Sequence, residues 1–492
     1  MKDFDCVVIG GGMLGCFAAR ELCRYQLSVA LLERHSDVCT GISKANTAIV
    51  YSGYDTKTGT RKMQLCCQGN QRFDRLCQEL DVPFRRTGSL MVCFGRQGEA
   101  VVRHKYRNGQ ANGVPGLRLL SGAEALELEP QLNPAVRLAL WAPTTGTVNP
   151  YRLTIAAYEN ALANGCAAFI NTEVKDIEHT AAGYLLHTNN GQFRCRAVVN
   201  AAGLFADSIH DLAAPPQARI CPQKADYYLL DDKSAGCIRH IIFHEPEDGG
   251  KGLTLVPTVE GNLLIGPSEQ GDAAKDDYAT TGEGLAFLRN WCRKVVPGLP
   301  LQQIIRNFAS LRPLLYALQA DVAGNLCPGQ QISGFELSQT LEQPAFISFL
   351  GIKTPGMTCA EGLAQQAAAA IARALGNPAP NAAFNPCRRA IPSLAQLSVK
   401  ERDELIRRNP AYGQIVCRCR GISEGEIIDA IRRGATTVNG LKRRVGVCSG
   451  RCQGGYCLRR VTELLARETG RPITAVAWDE PGSEVFQGVS DD

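Results

Sequence analysis

The sequence has no uninterrupted apolar run approaching the roughly 20 residues that a membrane-spanning helix requires. It also has no basic stretch ahead of an apolar one at its start, because residues 1–5 lead directly into the apolar residues 6–9. We therefore expect neither a membrane span nor a secretory signal peptide. The expected location is the cytoplasm, with contact to the inner membrane only through a partner.

The chain shows little sign of a disulfide framework, although it contains 21 cysteines. Most lie singly inside apolar stretches, as do Cys6, Cys16, Cys23, Cys93 and Cys166, and a free thiol there behaves as a small hydrophobic group. Without a secretion signal, a reducing compartment is the better interpretation. Only the cysteines after position 415 are spaced in an organised way.

The net charge of +5 is unevenly distributed. Residues 411–470 carry ten arginines and one lysine against five acidic residues, so the remainder of the chain is close to neutral. No aromatic platform or reading helix accompanies this basic segment, and a nucleic-acid partner is not expected. With 45% hydrophobic and 21% charged residues, the 492-residue chain has an ordinary globular composition and room for two or three domains.

A glycine-rich loop near the N-terminus follows a short apolar run, residues 4–9, that is typical of a buried strand. In this G-x-G-x-x-G loop, Gly10 allows a tight turn, Gly12 lets the backbone approach a pyrophosphate and Gly15 permits close helix packing. A predicted helix and a second strand follow, and the strand ends in Glu33, which is placed to accept hydrogen bonds from ribose hydroxyls. This order predicts a dinucleotide site, and an acid at that position disfavours NADP.

Four further segments resemble, in the same order, the D-amino-acid-oxidase-type FAD-dependent oxidoreductases, among them the glycerol-3-phosphate and 2-hydroxyglutarate dehydrogenases. They are GISKANTAIVYSGY at 41–54, NTEV at 171–174, VVNAAG at 198–203 and GIKTPGMT at 351–358. The resemblance covers about residues 1–385. It implies that the dinucleotide is FAD.

The resemblance also implies which residues hold this cofactor. Residues 41–54 would run beneath the flavin, the backbone of Val174 would meet the adenine, and residues 351–358 would form a late loop at the flavin ring. The candidate FAD-binding residues are Gly10, Gly12, Met13, Leu14, Gly15, Glu33, Arg34, Ser43, Asn46, Val174, Ala202, Gly203, Gly351, Gly356, Met357 and Thr358.

Local patterns agree with this assignment. The hairpin signal Asn190-Gly191 predicts a β-meander over residues 171–200. The alanine-rich run 361–375 predicts a helix. The positive end of that helix could point at the flavin, where negative charge collects on reduction, or the helix could be buried without an electronic role.

Three residues are the candidate catalytic group. Arg312 matches an arginine that in this family commonly holds the anionic group of the substrate, and its guanidinium suits phosphate or carboxylate, although a structural ion pair is the alternative. Lys353, in the flavin loop, could bind the anion, stabilise reduced flavin or face solvent. Tyr51 stands where the nearest relatives tend to have histidine. A tyrosine with a pKa of about 10 is not an obvious general base, which leaves the base and the substrate open.

The C-terminal cysteines form a C-x-C pair, Cys417 and Cys419, and a C-x-x-x-x-C pair, Cys452 and Cys457. This pattern resembles the bacterioferritin-associated-ferredoxin-like 2Fe–2S domain, which also closes the large subunit of anaerobic glycerol-3-phosphate dehydrogenase. The four cysteines are therefore the candidate cluster ligands. Zinc is the competing interpretation, although its common motif is C-x-x-C. Cys448 is expected to be a bystander, although it could substitute as a ligand.

The arginines near these cysteines could offset the negative charge of a cluster, or they could form a face for a partner subunit. They are Arg418, Arg420, Arg443, Arg444 and Arg451. Between the cysteine pairs, Ser423 and Glu426 predict a capping box for a short helix ending near Gly434.

The sequence thus predicts an α/β fold with a Rossmann-type FAD-binding domain, an interleaved mixed α+β substrate domain and a small helical iron–sulfur domain whose cluster is held by the four cysteines. The expected boundaries are FAD-binding parts at about 1–85, 150–210 and 345–385, substrate parts at about 86–149 and 211–344, a linker at 386–410, the 2Fe–2S domain at 411–470 and a tail at 471–492.

The resemblance implies an FAD-dependent dehydrogenase that acts on the CH–OH group of a small anionic alcohol. Glycerol 3-phosphate is the first expectation, and an L-2-hydroxy acid, an amino acid or an amine is the alternative. Electrons would pass through the 2Fe–2S cluster to a partner subunit or an electron carrier. In a hypothesis of another class, the cluster domain serves assembly or redox sensing, and in a third the flavoprotein has lost its activity.

Overall fold

A computed structural model describes residues 1–244, 252–321, 325–340 and 345–488. Within these ranges the helices are α1 Met13–Leu22, α2 Arg61–Glu79, α3 Arg96–Ala111, α4 Gly122–Leu128, α5 Pro150–Ala163, α6 Ala206–Asp211, α7 Gly282–Val295, α8 Gly356–Ala374, α9 Val399–Arg408, α10 Glu424–Arg432, α11 Val438–Val445 and α12 Leu458–Thr469. The strands are β1 Lys2–Ile9, β2 Val29–Leu32, β3 Ile49–Val50, β4 Phe84–Arg85, β5 Ser89–Cys93, β6 Arg118–Ser121, β7 Leu138–Ala142, β8 Gly146–Val148, β9 Ala167–Phe169, β10 Val174–Thr180, β11 Gly183–Thr188, β12 Gly191–Asn200, β13 Ala218–Leu230, β14 Ile241–His244, β15 Thr254–Pro257, β16 Leu263–Ile265, β17 Ile304–Ala320, β18 Leu326–Ile332, β19 Glu336–Thr340, β20 Ala345–Leu350, β21 Ile415–Cys417 and β22 Ile422–Ser423.

The first sheet is the predicted Rossmann-type sheet. Its parallel part runs in the order β20, β12, β1, β2 and β9, and the meander β10–β11–β12 continues it on one side. Parallel strands need crossover connections, and α1 supplies the one between β1 and β2. The central strands are buried on both faces, which explains the continuous apolar run of β1.

One face of this sheet packs against α1, α5 and α8, whose buried sides are rich in alanine. Small side chains let these helices approach one another and the sheet closely. The helix predicted at 361–375 begins five residues earlier than expected, at Gly356, and ends at Ala374. The predicted meander over residues 171–200 is confirmed by β10, β11 and β12.

The second sheet has the order β18-β17-β13-β16-β15-β14-β5-β7-β6 among the described residues. Its strands come from two chain segments, β5–β7 and β13–β18, that alternate along the chain with the parts of the first sheet, which is the predicted interleaved α+β arrangement. The long strands β13 and β17 pair antiparallel from Ala218 opposite Ala317 to Leu230 opposite Ile304. This register places Arg312 in the middle of β17, opposite Gln223. The end predicted for this domain at residue 344 lies outside the described residues.

The C-terminal part forms a third body from β21, β22, α10, α11 and α12 around its own core, which includes Val416, Ile427, Leu441 and Leu464. The predicted capping box of α10 is confirmed, because the side chains of Ser423 and Glu426 each accept from the backbone of the other. The expected linker, 386–410, contains α9. The expected tail, 471–492, contributes Val476 to the core of the C-terminal body. The end of that tail, at 492, lies outside the described residues. No helix of the described ranges is long and apolar enough to cross a membrane.

Candidate active site and cysteine centre

The glycine loop between β1 and α1 has backbone positions that only glycine fits. Gly10 has a φ of +106°, and a Cβ there would lie 2.6 Å from the carbonyl oxygen of Ala201. A Cβ on Gly15 would lie 1.8 Å from the carbonyl oxygen of Gly10, so α1 could not approach the loop. These contacts form a narrow cradle of the kind that a dinucleotide pyrophosphate needs.

Glu33 lies at the end of β2 with its carboxylate turned toward this loop. One of its oxygens accepts the N–H of Gly11 at 2.5 Å, and the other accepts the N–H of His35 at 2.9 Å. Burial raises the pKa of Glu33, and these two N–H donors oppose that rise because they stabilise the carboxylate. The acid is therefore held in a fixed position beside the loop.

A cavity of about 790 Å³ runs from this loop into the space between the two large sheets. Most of the residues predicted from the sequence to bind FAD or substrate line it. They are Gly10, Gly12, Met13, Leu14, Glu33, Arg34, Ser43, Asn46, Tyr51, Val174, Ala202, Gly203, Arg312, Lys353, Gly356 and Met357. A cavity of this size falls in the range for cofactor and ligand sites.

Three predicted residues, Gly15, Gly351 and Thr358, are missing from the described residues that line the cavity. Gly351 has a φ of +63°, and a Cβ there would lie 2.5 Å from the Cβ of Leu315, so it permits close packing behind the wall. The hydroxyl of Thr358 accepts the backbone N–H of Tyr51 at 3.0 Å. These residues act on the site through their neighbours.

Arg312 and Lys353 line the substrate end of the cavity, and a third cation, Lys62, lies near enough to Lys353 for its charge to affect that lysine. Among the described residues, none of the three has a carboxylate within ion-pair distance or a side-chain hydrogen bond to protein. Burial lowers the pKa of Lys353, and the charges of Lys62 and Arg312 lower it further. Arg312 thus forms no ion pair with the described residues, which favours an anion-binding role over the alternative of a structural ion pair.

Tyr51 forms part of an aromatic wall beside this group. Its ring packs on Phe243, with 6.1 Å between ring centroids, and Tyr227 stacks on Phe308 at 4.9 Å. Burial raises the pKa of Tyr51 to about 12, against opposing effects of Thr47 and Arg312. The phenol therefore keeps its proton at neutral pH and can donate a hydrogen bond.

The first turn of α8 also reaches the cavity, through Gly356 and Met357. Among the described residues no side chain caps this helix; the N–H of Gly356 donates to the carbonyl of Lys353 at 2.7 Å, and the positive end of the helix faces the cavity. This arrangement favours the electronic role over the alternative of a plain buried helix.

In the C-terminal body, the sulfur of Cys419 lies 3.8 Å from that of Cys417 and 3.8 Å from that of Cys452. Backbone N–H groups already point at these sulfurs. Those of Gly454 and Tyr456 lower the pKa of Cys452 because they stabilise its thiolate.

Cys417 accepts in the same way from the N–H groups of Arg420 and Cys448, although burial has the larger effect and raises its pKa. A loop that supplies N–H donors to thiolate sulfurs fits an iron–sulfur cluster. Within the described ranges, no three His, Cys, Asp or Glu residues could hold a single metal ion, as a zinc site would require.

Cys448, which the sequence predicts not to be a ligand, lies close to the sulfur atoms of the predicted ligands. Its sulfur is buried and lies 3.5 Å from that of Cys457. Cys419 and Cys452 are exposed, whereas Cys417 and Cys457 are buried. One edge of the cysteine centre therefore faces the surface.

The hypothesis that all five nearby arginines offset cluster charge is wrong for two of them. Arg444 donates to both carboxylate oxygens of Asp37, at 2.6 and 2.9 Å, and Arg443 contacts Asp37 and Asp479. By contrast, the guanidinium of Arg418 stacks over the ring of Tyr456, 4.4 Å from its centroid, beside the exposed edge.

Sequence reasoning missed Lys62, Asp37 and the acidic pair Asp479 and Glu480, which also lines the cavity. Lys62 could have been suspected from its position close to the 41–54 motif. The other three have no signal in the sequence, because their roles depend on how the C-terminal body packs against the nucleotide-binding sheet.

Comparisons with known proteins agree with this geometry. Residues 5–370 match the FAD dependent oxidoreductase (DAO) family, and residues 415–467 match the BFD-like 2Fe–2S binding domain. A glycerol 3-phosphate dehydrogenase of Caloramator mitchellensis is 40% identical over 487 residues, which cover 99% of this chain and 98% of that protein.

Two solved structures show the same fold. The L-α-glycerophosphate oxidase of Mycoplasma pneumoniae, with FAD bound, has a TM-score of 0.71 at 24% identity and covers 79% of this chain and 99% of its own. The glycerol-3-phosphate dehydrogenase of Bacillus halodurans, complexed with FAD, has a TM-score of 0.69 at 17% identity and covers 98% of this chain and 92% of its own. The predicted fold and both cofactors, FAD and a 2Fe–2S cluster, are confirmed. The chain belongs to the FAD dependent oxidoreductase family and carries a BFD-like 2Fe–2S domain after the oxidoreductase part.

Proposed function

We propose that this oxidoreductase is a dehydrogenase of glycerol 3-phosphate that passes electrons through its 2Fe–2S cluster to a separate acceptor. The observation that carries the proposal is the group of cations Lys62, Arg312 and Lys353, none of which has a carboxylate within ion-pair distance among the described residues. Cations partly withdrawn from water are costly unless an anion joins them. A phosphate monoester supplies two negative charges on one group.

The same cations help to choose among substrates. Arg312 can grip phosphate with two parallel hydrogen bonds, and Lys353 adds a point charge. A cationic amine would be repelled by the whole group. An L-2-hydroxy acid remains an outcome of the test, but its carboxylate carries a single charge at this position.

The residues that we assign to FAD follow the course of the cavity. The glycine loop and the start of α1 would hold the pyrophosphate, Glu33 the ribose, Val174 the adenine, and the start of α8 the flavin ring. When bound, FAD supplies the hydride acceptor. Tyr51 keeps its proton and orients the substrate as a hydrogen-bond donor, so we do not assign it as the general base.

We assign Cys417, Cys419, Cys452 and Cys457 as the cluster ligands. The exposed edge at Cys419 and Cys452 gives electrons a short way out of the protein. Because Arg418 and Tyr456 flank that edge, the acceptor would be a partner subunit or carrier with an acidic surface. Any association with the inner membrane would pass through that partner. For the domains we propose the boundaries given by the sequence.

The test is an anaerobic titration of the purified protein, holding cluster and FAD, with glycerol 3-phosphate, L-2-hydroxyglutarate, L-lactate and several amino acids. The flavin absorption band at about 450 nm reports reduction. Bleaching by glycerol 3-phosphate at the lowest concentration supports the proposal. Bleaching by a hydroxy acid or an amino acid instead would refute the substrate and leave the family intact. An absence of bleaching by any of them would support the hypothesis of lost activity.

A further inference from the structure

The chain after the last cysteine returns to the nucleotide end of the cavity. Asp479 and Glu480 line that cavity together with Glu33. One oxygen of Glu480 lies 3.1 Å from the Nδ1 of His35, and the other accepts the N–H of Ser36 at 3.2 Å. A segment of the C-terminal body therefore forms part of the wall beside the acid that we assign to the FAD ribose.

This segment is also tied to the cluster domain. The N–H of Asn439, in α11, donates to the carbonyl of Trp478 at 2.8 Å, and that of Val438 donates to Ala477 at 3.3 Å. Val476 is buried in the core of the cluster domain. The position of Asp479 and Glu480 is therefore coupled to that of α11.

A second tie joins α11 to the same end of the cavity. Arg444 holds Asp37 through two hydrogen bonds, and Arg443 bridges Asp37 to Asp479 at 3.3 and 2.7 Å. The side chains of Asp37 and Arg444 are 2% and 1% exposed. An ion pair so completely withdrawn from water fixes the geometry of both elements, because breaking it leaves a buried charge without a partner.

The loop that carries Asp37 braces the glycine loop. The N–H of Cys39 donates to the carbonyl of Gly11 at 2.9 Å, and a Cβ on Gly11 would lie 2.9 Å from the side chain of Val38. A continuous series of contacts therefore joins the glycine loop, Glu33, Asp37 and α11. At its far end, α11 leads through Gly446 and Val447 directly into Cys448 and the cysteine loop.

We propose that the cluster domain closes the FAD site, so that retention of FAD depends on the acidic segment 479–480 and on an intact cysteine centre. The proposal rests on the placement of the FAD ribose beside Glu33 given above. Loosening of the cysteine loop acts on the C-terminal end of α11 through Gly446 and Val447, and α11 carries the contacts both to the acidic segment and to Asp37. By reciprocity, bound FAD stabilises the cluster domain to the same extent.

The test measures the rate of FAD release from the holoprotein after dilution, through the rise of free-flavin fluorescence. Glu480→Ala and Asp479→Asn should each accelerate FAD release, and the double variant should release FAD at least fivefold faster than the protein without substitutions. Glu463→Ala is the matched control, since it removes a carboxylate of the same domain that pairs with Arg459 and Arg460 on α12. It should leave the release rate unchanged.

The second arm removes the cluster by oxidation and chelation and repeats the measurement. Loss of the cluster should accelerate FAD release from the protein without substitutions. The further acceleration caused by the double substitution should be smaller in the cluster-free protein, because cluster loss and the substitutions act through the same segment. Equal release rates in all proteins, with and without the cluster, would overturn the inference. This test is independent of the substrate assignment. Failure of glycerol 3-phosphate to bleach the flavin would not affect the inference about FAD retention, whereas a protein that binds no FAD at all would refute the proposed function itself.

Discussion

Replacement of Arg312 by lysine tests the anion site without altering its charge. A lysine can make a point contact with phosphate but not the paired hydrogen bonds of a guanidinium, so about one charge-assisted bond, of 1.5–3 kcal/mol, is lost. This corresponds to a fall of roughly 10- to 150-fold in kcat/KM, at 1.4 kcal/mol for each factor of ten. Folding should be little affected, because Arg312 has no protein partner within the described residues.

The assay is steady-state oxidation of glycerol 3-phosphate with an artificial electron acceptor, together with thermal unfolding of each protein. Arg306→Lys is the matched control, because Arg306 lies exposed on the same strand, β17. The control should keep its kcat/KM. An Arg312→Lys protein with unchanged kcat/KM, or one whose loss of activity tracks a loss of stability, would refute the assignment of the anion site.

Three further outcomes are expected. Burial and two neighbouring cations lower the pKa of Lys353, so this side chain should lose its charge at a pH below the usual value of 10.5. The KM for glycerol 3-phosphate should rise over that pH range. In a KM–pH profile, Lys353→Arg should move the rise to higher pH. Asp37→Asn should destabilise the protein by about 3–5 kcal/mol in urea unfolding, because Arg444 is left buried without its counter-charge. Cys452→Ser should abolish the visible absorption of the cluster, whereas Cys448→Ser should retain it.

Each of these predictions has a contradicting result. A KM that is independent of pH up to 10.5 would show that Lys353 does not bind the anion. Unfolding of Asp37→Asn at the urea concentration of the unmodified protein would mean that the buried pair contributes nothing. Loss of the cluster in Cys448→Ser would make this cysteine a ligand and not a bystander.

The nucleotide-binding part could be predicted from the sequence because its requirements are local. A Cβ at Gly10 or Gly15 collides with backbone, so the glycines had to appear at fixed spacing. The strand before these glycines and Glu33 after them belong to the same short stretch of sequence, so their positions can be predicted together. The meander and the capping box of α10 are likewise properties of neighbouring residues.

The parts that could not be predicted depend on contacts between distant segments. Arg444 looks like one more arginine beside the cysteines, and only the packing of α11 against the loop after β2 turns it toward Asp37. The place of Glu480 in the cavity wall has the same origin. The start of α8 at Gly356 was missed because Gly and Pro near a helix start resemble a loop, while burial against the sheet decides the boundary.

The transfer of electrons from substrate through FAD to the cluster is the central claim, and rapid-freeze EPR of the anaerobic holoprotein tests it most directly. After mixing with glycerol 3-phosphate, the signal of the reduced 2Fe–2S cluster should appear within the time of one turnover, after bleaching of the flavin has begun. Bleached flavin with a cluster that stays oxidised over many turnovers would contradict the relay and favour an assembly or sensing role for the cysteine domain.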